Sequence, residues 1–269
     1  MVSMGIQHVP DQGFRRRERQ GRISIGRRMS ALAAGLLMAG CSSALSPEDP
    51  TDIAAWMDLY DVPGVSVAVF NDFALDYVEV HGVASESTME PVTEGTLFQA
   101  ASLTKGVSSA AIVSLAQEGA MSLDAPINDY LTSWQLPYSA FQESEQVTLR
   151  RLLSHTAGTT VGGFRGYRYT ESLPSLIQIL NGEPPANSPP VVVDLVPGSR
   201  FRYSGGGYLV AQQAVEDVTG IVFVELMRQR VLQPIGMDQR TYEQPLPPPL
   251  RGQAASGYYA DGTAVPGGH

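Results

Sequence analysis

The chain has 269 residues, 43% of them hydrophobic and 17% charged, which is length enough for one large or two modest domains and a composition that excludes wholesale disorder. Its formal net charge is −9, but residues 1–40 hold seven arginines and two acids, so the remainder carries 11 basic against 25 acidic side chains. A body of that sign repels phosphate backbones and anionic surfaces, which argues against nucleic acid as a partner.

The predicted elements begin with a targeting segment. A basic stretch ends at Arg27-Arg28, and an uncharged, mostly apolar run of 12 follows over residues 29–40. A bilayer span needs about 20 residues, so the run suits a signal peptide instead. It ends Leu37-Met38-Ala39-Gly40-Cys41, which is similar to the bacterial lipobox, whose cysteine is acylated. Residues 1–40 are therefore expected to be a lipoprotein-type signal peptide. Cys41 is the expected lipid anchor to the membrane, on the periplasmic face of the envelope and at the outer membrane. An ordinary signal peptide with an incidental cysteine is the alternative, and Arg27-Arg28 leaves the export route open. Cys41 is the only cysteine in the chain, so a disulfide within it is excluded.

Residues 41–50 are small and polar and read as a tether. Residues 51–61 place Ile53, Trp56, Met57 and Tyr60 at helical spacing. A β-branched run at 65–70, a turn at Asn71-Asp72 and a second run at 73–80 predict an antiparallel hairpin. A helix is predicted over 102–118, with Leu103, Val107, Ala110, Ala111, Val113, Ser114 and Leu115 on its apolar or small face and Gly119 as its stop. Further helices are predicted over 207–217 and 223–232, and Leu246-Pro-Pro-Pro249 is a stiff connector.

The chemistry is suggested by a scarcity. Against 17 arginines the chain keeps a single lysine, Lys105, three residues after Ser102. Arginine stays protonated, whereas a desolvated lysine can release its proton and act as a base. At i, i+3 on a helix the amine and the hydroxyl share a face, the arrangement an activated serine needs. Ser102 also falls at a helix start, where unpaired N–H groups favour developing negative charge. The competing reading makes Ser102 a cap and Lys105 a solvated side chain.

With Gln99-Ala-Ala-Ser-Leu-Thr-Lys105 on the page, the sequence resembles the serine β-lactamase-like hydrolases: class C β-lactamases, D-alanyl-D-alanine peptidases and related esterases. The resemblance extends over 51–269 through Val62-Pro-Gly-Val65, Leu123-Asp-Ala-Pro-Ile127, Leu152-Leu-Ser-His-Thr-Ala-Gly158 and Pro197-Gly-Ser-Arg-Phe-Arg-Tyr-Ser-Gly205. It implies an α/β fold of the α+β type, an antiparallel sheet flanked by helices plus a mostly helical subdomain. Residues 51–105 would begin the α/β region, 106–254 form the helical region and 255–269 start a return to the sheet. It also implies that Tyr203 is the second catalytic residue, a phenol stabilised as phenolate beside an ammonium. The expected activity is two-step acyl transfer on a small acyl compound, an ester or small amide, with no cofactor or metal. β-Lactam or cell-wall peptide turnover is the alternative.

Two departures qualify that expectation. The family often has Tyr-x-Asn where this chain has Tyr203-Ser204-Gly205, and Gly205 supplies no amide to contact substrate. A late Lys-Thr-Gly is impossible with one lysine, and none of His8, His81, His155 and His269 begins a His-x-Gly. The sheet is therefore expected to be incomplete in this chain, the third motif to lie beyond it, and a truncated, inactive chain that only binds is a further alternative. His155 is read as a structural loop residue in preference to a second base for Ser102 or Ser154. The glycine- and aromatic-rich stretch 162–169 is a candidate cleft wall, with Arg165 or Arg168 meeting a carboxylate.

Overall fold

The computed structural model of the chain describes residues 52–168, 171–238 and 240–267; Cys41, with the predicted signal peptide and the whole predicted tether, lies outside them. Asp52 caps helix α1 (Ile53–Tyr60), its side chain accepting from the Ala55 N–H at 3.0 Å, and the left-handed Asp61 ends it. The predicted hairpin follows as β1 (Gly64–Asn71) and β2 (Ala74–Ser85), antiparallel with Val67 opposite Glu79. Its turn falls one residue later than expected, on Asp72 and Phe73, both left-handed at φ 47° and 62°. That geometry matches the twist of the flanking strands. A short β3 (Glu90–Pro91) pairs with the far side of β2, giving the order β1-β2-β3.

The helical body follows. A 3-10 turn (Ala101–Leu103) runs into α2 (Thr104–Gln117), and α3 (Leu149–Leu153), α4 (Leu176–Asn181) and α6 (Phe223–Met227) pack against α5 (Gly205–Thr219). A π-helical turn, Arg228–Leu232, continues α6, and α7 (Pro248–Arg251) begins in the proline run. The fold class is the expected one, an antiparallel sheet beside helices. The core draws on the helices and on the loops between them: Ala111, Ile112 and Leu115 of α2, Leu149 and Leu152 of α3, and Val210, Ala211, Ala214 and Val215 of α5 are buried together with Leu226 and Met227 of α6, and Leu131, Trp134, Leu136, Val191 and Val193 join them from the connecting segments.

The buried face of α2 departs from the predicted one. Ser108, Ala111, Ile112 and Leu115 turn inward at i, i+3, i+4 and i+7, whereas Leu103 and Ala110 are exposed. Leu103 belongs to the 3-10 turn, whose tighter winding rotates it off the helical stripe. The polypeptide after α7 returns to the sheet side. Leu97 N–H donates to Gln253 O, Ala255 N–H to Leu97 O and Ser256 N–H to Ala84 O, each at 2.8 Å.

Candidate active site

Two helix beginnings build the site. Ser102 sits in the 3-10 turn and Lys105 is the second residue of α2, so the predicted i, i+3 pair meets as the helical geometry requires: Lys105 Nζ donates to Ser102 Oγ at 2.9 Å. Ala101, just before the nucleophile candidate, is left-handed at φ 43°. A non-glycine residue in that region costs on the order of 1–2 kcal/mol, so the surrounding structure holds this turn in place.

Tyr203 comes from the segment ahead of α5, and its hydroxyl donates to Ser102 Oγ at 2.8 Å. The loop at 159–164 and the start of α5 fix its position. Ser204 caps α5, its Oγ accepting from the Gly207 N–H at 2.9 Å while donating to Thr160 O at 2.6 Å. Gly205 N–H donates to Gly162 O at 3.1 Å and Gly206 N–H to Val161 O at 2.9 Å. The loop approaches so closely that a Cβ on Gly206 would stand 2.8 Å from Val191 Cγ2 and 2.9 Å from Thr160 O. The helix therefore begins in glycines, two residues before the predicted start.

The electrostatics separate the two partners of Ser102. The Lys105 ammonium, then the Ser102 hydroxyl, hold the Tyr203 phenol below the usual value near 10, against an opposing push from burial. Lys105 Nζ also lies 5.0 Å from the Tyr203 ring centroid and 5.6 Å from that of Tyr208, so two π faces attract its charge. Tyr203 remains 40% exposed, open to a substrate rather than packed in the core between Phe201 and Tyr208.

His155 supports the tyrosine. Its ring lies 4.3 Å from that of Tyr203 and 5.2 Å from that of Tyr208, centroid to centroid. Its Nδ1 accepts from the Ser204 N–H at 3.1 Å, and its backbone oxygen from the Arg202 N–H at 2.8 Å. Burial, then the Lys105 charge, pushes its pKa down, which agrees with a neutral ring carrying its proton on Nε2. Ser154 Oγ donates instead to Arg150 O at 2.8 Å, so no Ser154–His155 pair forms.

A cavity of about 540 Å³ opens beside Ser102 and Lys105. Gly162, Gly163 and Phe164 line it, but Arg165 and Arg168 do not; both are exposed. The wall predicted from the glycine-rich stretch is thus present without its arginines. Among the described residues no group of three or more His, Cys, Asp or Glu side chains is placed to hold a metal, and no helix is long and apolar enough to cross a membrane.

A sheet beside a helical body, with a serine, a lysine and a tyrosine brought together where α2 and α5 begin, defines the class: the serine β-lactamase-like fold. The chain belongs to the beta-lactamase family, whose profile matches residues 51–269. It is similar to penicillin-binding protein 4 of Amycolatopsis lactamdurans, 27% identical over 71% of this chain and 49% of the relative. It is likewise similar to the esterase EstB of Burkholderia gladioli, 30% identical over 60% of this chain and 42% of the relative. A β-lactamase of Pseudomonas fluorescens is 27% identical over 67% of this chain and 46% of that protein. The solved structure of an octameric penicillin-binding protein homologue from Pyrococcus abyssi superposes with a TM-score of 0.61 at 25% identity, covering 80% of this chain and 48% of that one. The chain thus spans about half the length of the relatives it matches.

Proposed function

We propose that the protein is a serine hydrolase working through an acyl-enzyme, with esters or small amides as substrates. The observation that carries this reading is the convergence of Lys105 Nζ and Tyr203 Oη on Ser102 Oγ at 2.9 and 2.8 Å. In this mechanism Tyr203, as phenolate beside the Lys105 ammonium, takes the Ser102 proton as Oγ attacks the substrate carbonyl. The Ser102 N–H lies in the first turn of its 3-10 segment, where backbone donors lack helical acceptors, and is the donor assigned to the oxyanion. The carbonyl–oxygen bond then breaks, and the departing alkoxide takes the proton from Tyr203. Water repeats the sequence, giving its proton to Tyr203 and releasing the carboxylic acid.

The names of the relatives support two substrate classes, an esterase on one side and a β-lactamase and penicillin-binding proteins on the other. Gly205, which offers no side-chain amide, favours the first. Fluorophosphonate labelling that disappears in Ser102→Ala tests the nucleophile. Hydrolysis of p-nitrophenyl esters with no turnover of a chromogenic cephalosporin selects the ester reading, and the reverse pattern selects the alternative. Export as a lipoprotein is the accompanying proposal. It rests on Leu37-Met38-Ala39-Gly40-Cys41 and is tested by radiolabelled palmitate incorporation, which Cys41→Ser should abolish.

A further inference from the structure

The cavity beside Ser102 has a direction. On α2 it is lined by Thr104, Lys105, Ser108 and Ile112, and on α5 by Gly205, Tyr208, Leu209 and Gln212, one stripe of each helix. Both helices start at the catalytic cluster, and each lining stripe extends for about 10 Å along its helix, at 1.5 Å of rise per residue. Leu176 and Ile179 of α4, Phe223 and Val224 of α6, and Tyr242 and Gln244 add to the walls.

Several of the polar atoms along this path are engaged by the protein itself. Tyr208 Oη donates to Leu153 O at 2.9 Å, Ser108 Oγ lies 3.2 Å from Tyr242 Oη, and Gln212 Nε2 donates to Glu216 Oε1 at 3.1 Å. Among the described lining residues Lys105, at the mouth, bears the only full charge. At that mouth Gly205 and Phe164 meet: a Cβ on Gly205 would stand 3.2 Å from Phe164 Cε2, so an aromatic edge occupies the space a side chain there would take. A site built to hold an amide or a carboxylate places unpaired donors along its walls, because a polar group buried without a partner costs about 1–3 kcal/mol. Leu176, Ile179, Leu209, Phe223 and Val224 give this one walls of aliphatic and aromatic carbon, with Gln244 as a polar side chain among them.

We propose that this cavity is an acyl-chain pocket, and that the protein acts on esters of unbranched, medium-length aliphatic acids. The inference rests on Ser102 being the nucleophile and adds the identity of the group it carries. In the acyl-enzyme the chain runs from the Ser102 ester bond between α2 and α5 toward Ile179 and Val224, while the alcohol leaves through the open side past Tyr203. Each methylene drawn into the cavity raises kcat/KM about fourfold, the equivalent of roughly 0.8 kcal/mol per buried CH2.

A series of p-nitrophenyl esters from acetate to decanoate, assayed with the full chain, provides the test. The expected profile climbs to a maximum at hexanoate or octanoate. Leu209→Phe and, from the opposite wall, Ile179→Phe lower the octanoate-to-acetate ratio at least tenfold. Calorimetric titration of Ser102→Ala with sodium octanoate reads the cavity without the chemistry, and saturable binding weakened by adding Leu209→Phe supports the pocket. A flat profile in a chain whose acetate hydrolysis still requires Ser102 overturns the pocket and leaves the nucleophile standing. Absence of Ser102-dependent turnover of any ester removes the hydrolase reading. The titration then decides the pocket by itself, and failure to bind octanoate overturns it.

Discussion

Lys105 and Tyr203 both reach Ser102 Oγ, but their surroundings differ in what they favour. Two aromatic faces around the Lys105 ammonium attract a charge, while that same charge pulls the Tyr203 phenol down from its ordinary value. The proposed mechanism therefore gives the part of base to the tyrosine. Activity is expected to rise with pH as Tyr203 ionises, with the midpoint below 10. Lys105→Met removes the first cause of that lowering, so the midpoint moves up toward 10 and the rate at neutral pH falls; a pH–rate profile of both proteins checks this. Tyr203→Phe should lower kcat by roughly 100-fold or more, the usual range for a positioned acid–base group. His155 acts through structure. Its folded pKa is depressed, so the neutral ring contributes stability that is complete above the unfolded value of about 6.5 and is lost as pH falls through the folded one. Denaturant midpoints measured between pH 7 and 4 should show that decline, and His155→Phe should flatten part of it. The same substitution leaves the Ser204 N–H without its acceptor, at a cost of about 1–3 kcal/mol. The cluster was partly legible in the sequence because one lysine among 17 arginines marks itself. The part played by His155 was not, since it depends on a left-handed backbone at φ 58° and on a neighbour 48 positions away.

At the scale of elements, the start of α5 shows where propensity and packing disagree. Three consecutive glycines are poor helix formers, so sequence pattern begins the helix at Gly207, yet the structure begins it at Gly205. The cap from Ser204 and the bonds from Gly205 and Gly206 to the 159–164 loop outweigh the propensity, and they require a backbone with nothing on it. Gly206→Ala tests this. In an exposed helix the change would stabilise, but here its Cβ meets the Thr160 carbonyl and Val191, and overpacking of about 1–3 kcal/mol is expected as a lowered denaturant midpoint. The far end of the same helix is tied down by Asp217, which accepts from the Thr132 and Ser133 N–H groups at 2.7 and 3.0 Å and from Ser133 Oγ at 2.7 Å. Burial pushes that carboxyl up, but the Ser133 and Thr132 donors outweigh it and the net direction is down. No periodicity announces such a bond, because Ser133 and Asp217 are 84 positions apart. The mistaken face of α2 has a local cause: a helical wheel drawn from Ser102 assumes 3.6 residues per turn through a segment that winds more tightly.

Across the whole molecule, stability and exposure are unevenly shared. The helical body holds nearly all the buried hydrophobic side chains, whereas no residue of α1 or β1 is buried and Phe70, Phe73 and Tyr77 of the hairpin stand in solvent. Sequence alternation finds the hairpin because strand pairing is local, but which of its faces is covered depends on long-range neighbours that the pattern does not name. Two consequences follow from this division. Leu226→Ala, in the fully packed region, should cost about 2–5 kcal/mol, while Phe73→Ser at the turn should stay within about 0.5 kcal/mol. Among the described residues strand β1 pairs with β2 alone, so its outer edge presents unpaired backbone groups beside exposed aromatic rings. Such an edge is a template for another strand, and charge on it is the usual defence. Replacing Phe70 by Lys removes an exposed ring and puts a cation on that edge, at little cost to a core the residue does not touch. Light scattering of the 269-residue chain at rising concentration should show association that Phe70→Lys suppresses while the melting temperature stays put. Equal association in both proteins would mean that the edge is already protected and that the sticky surface lies elsewhere.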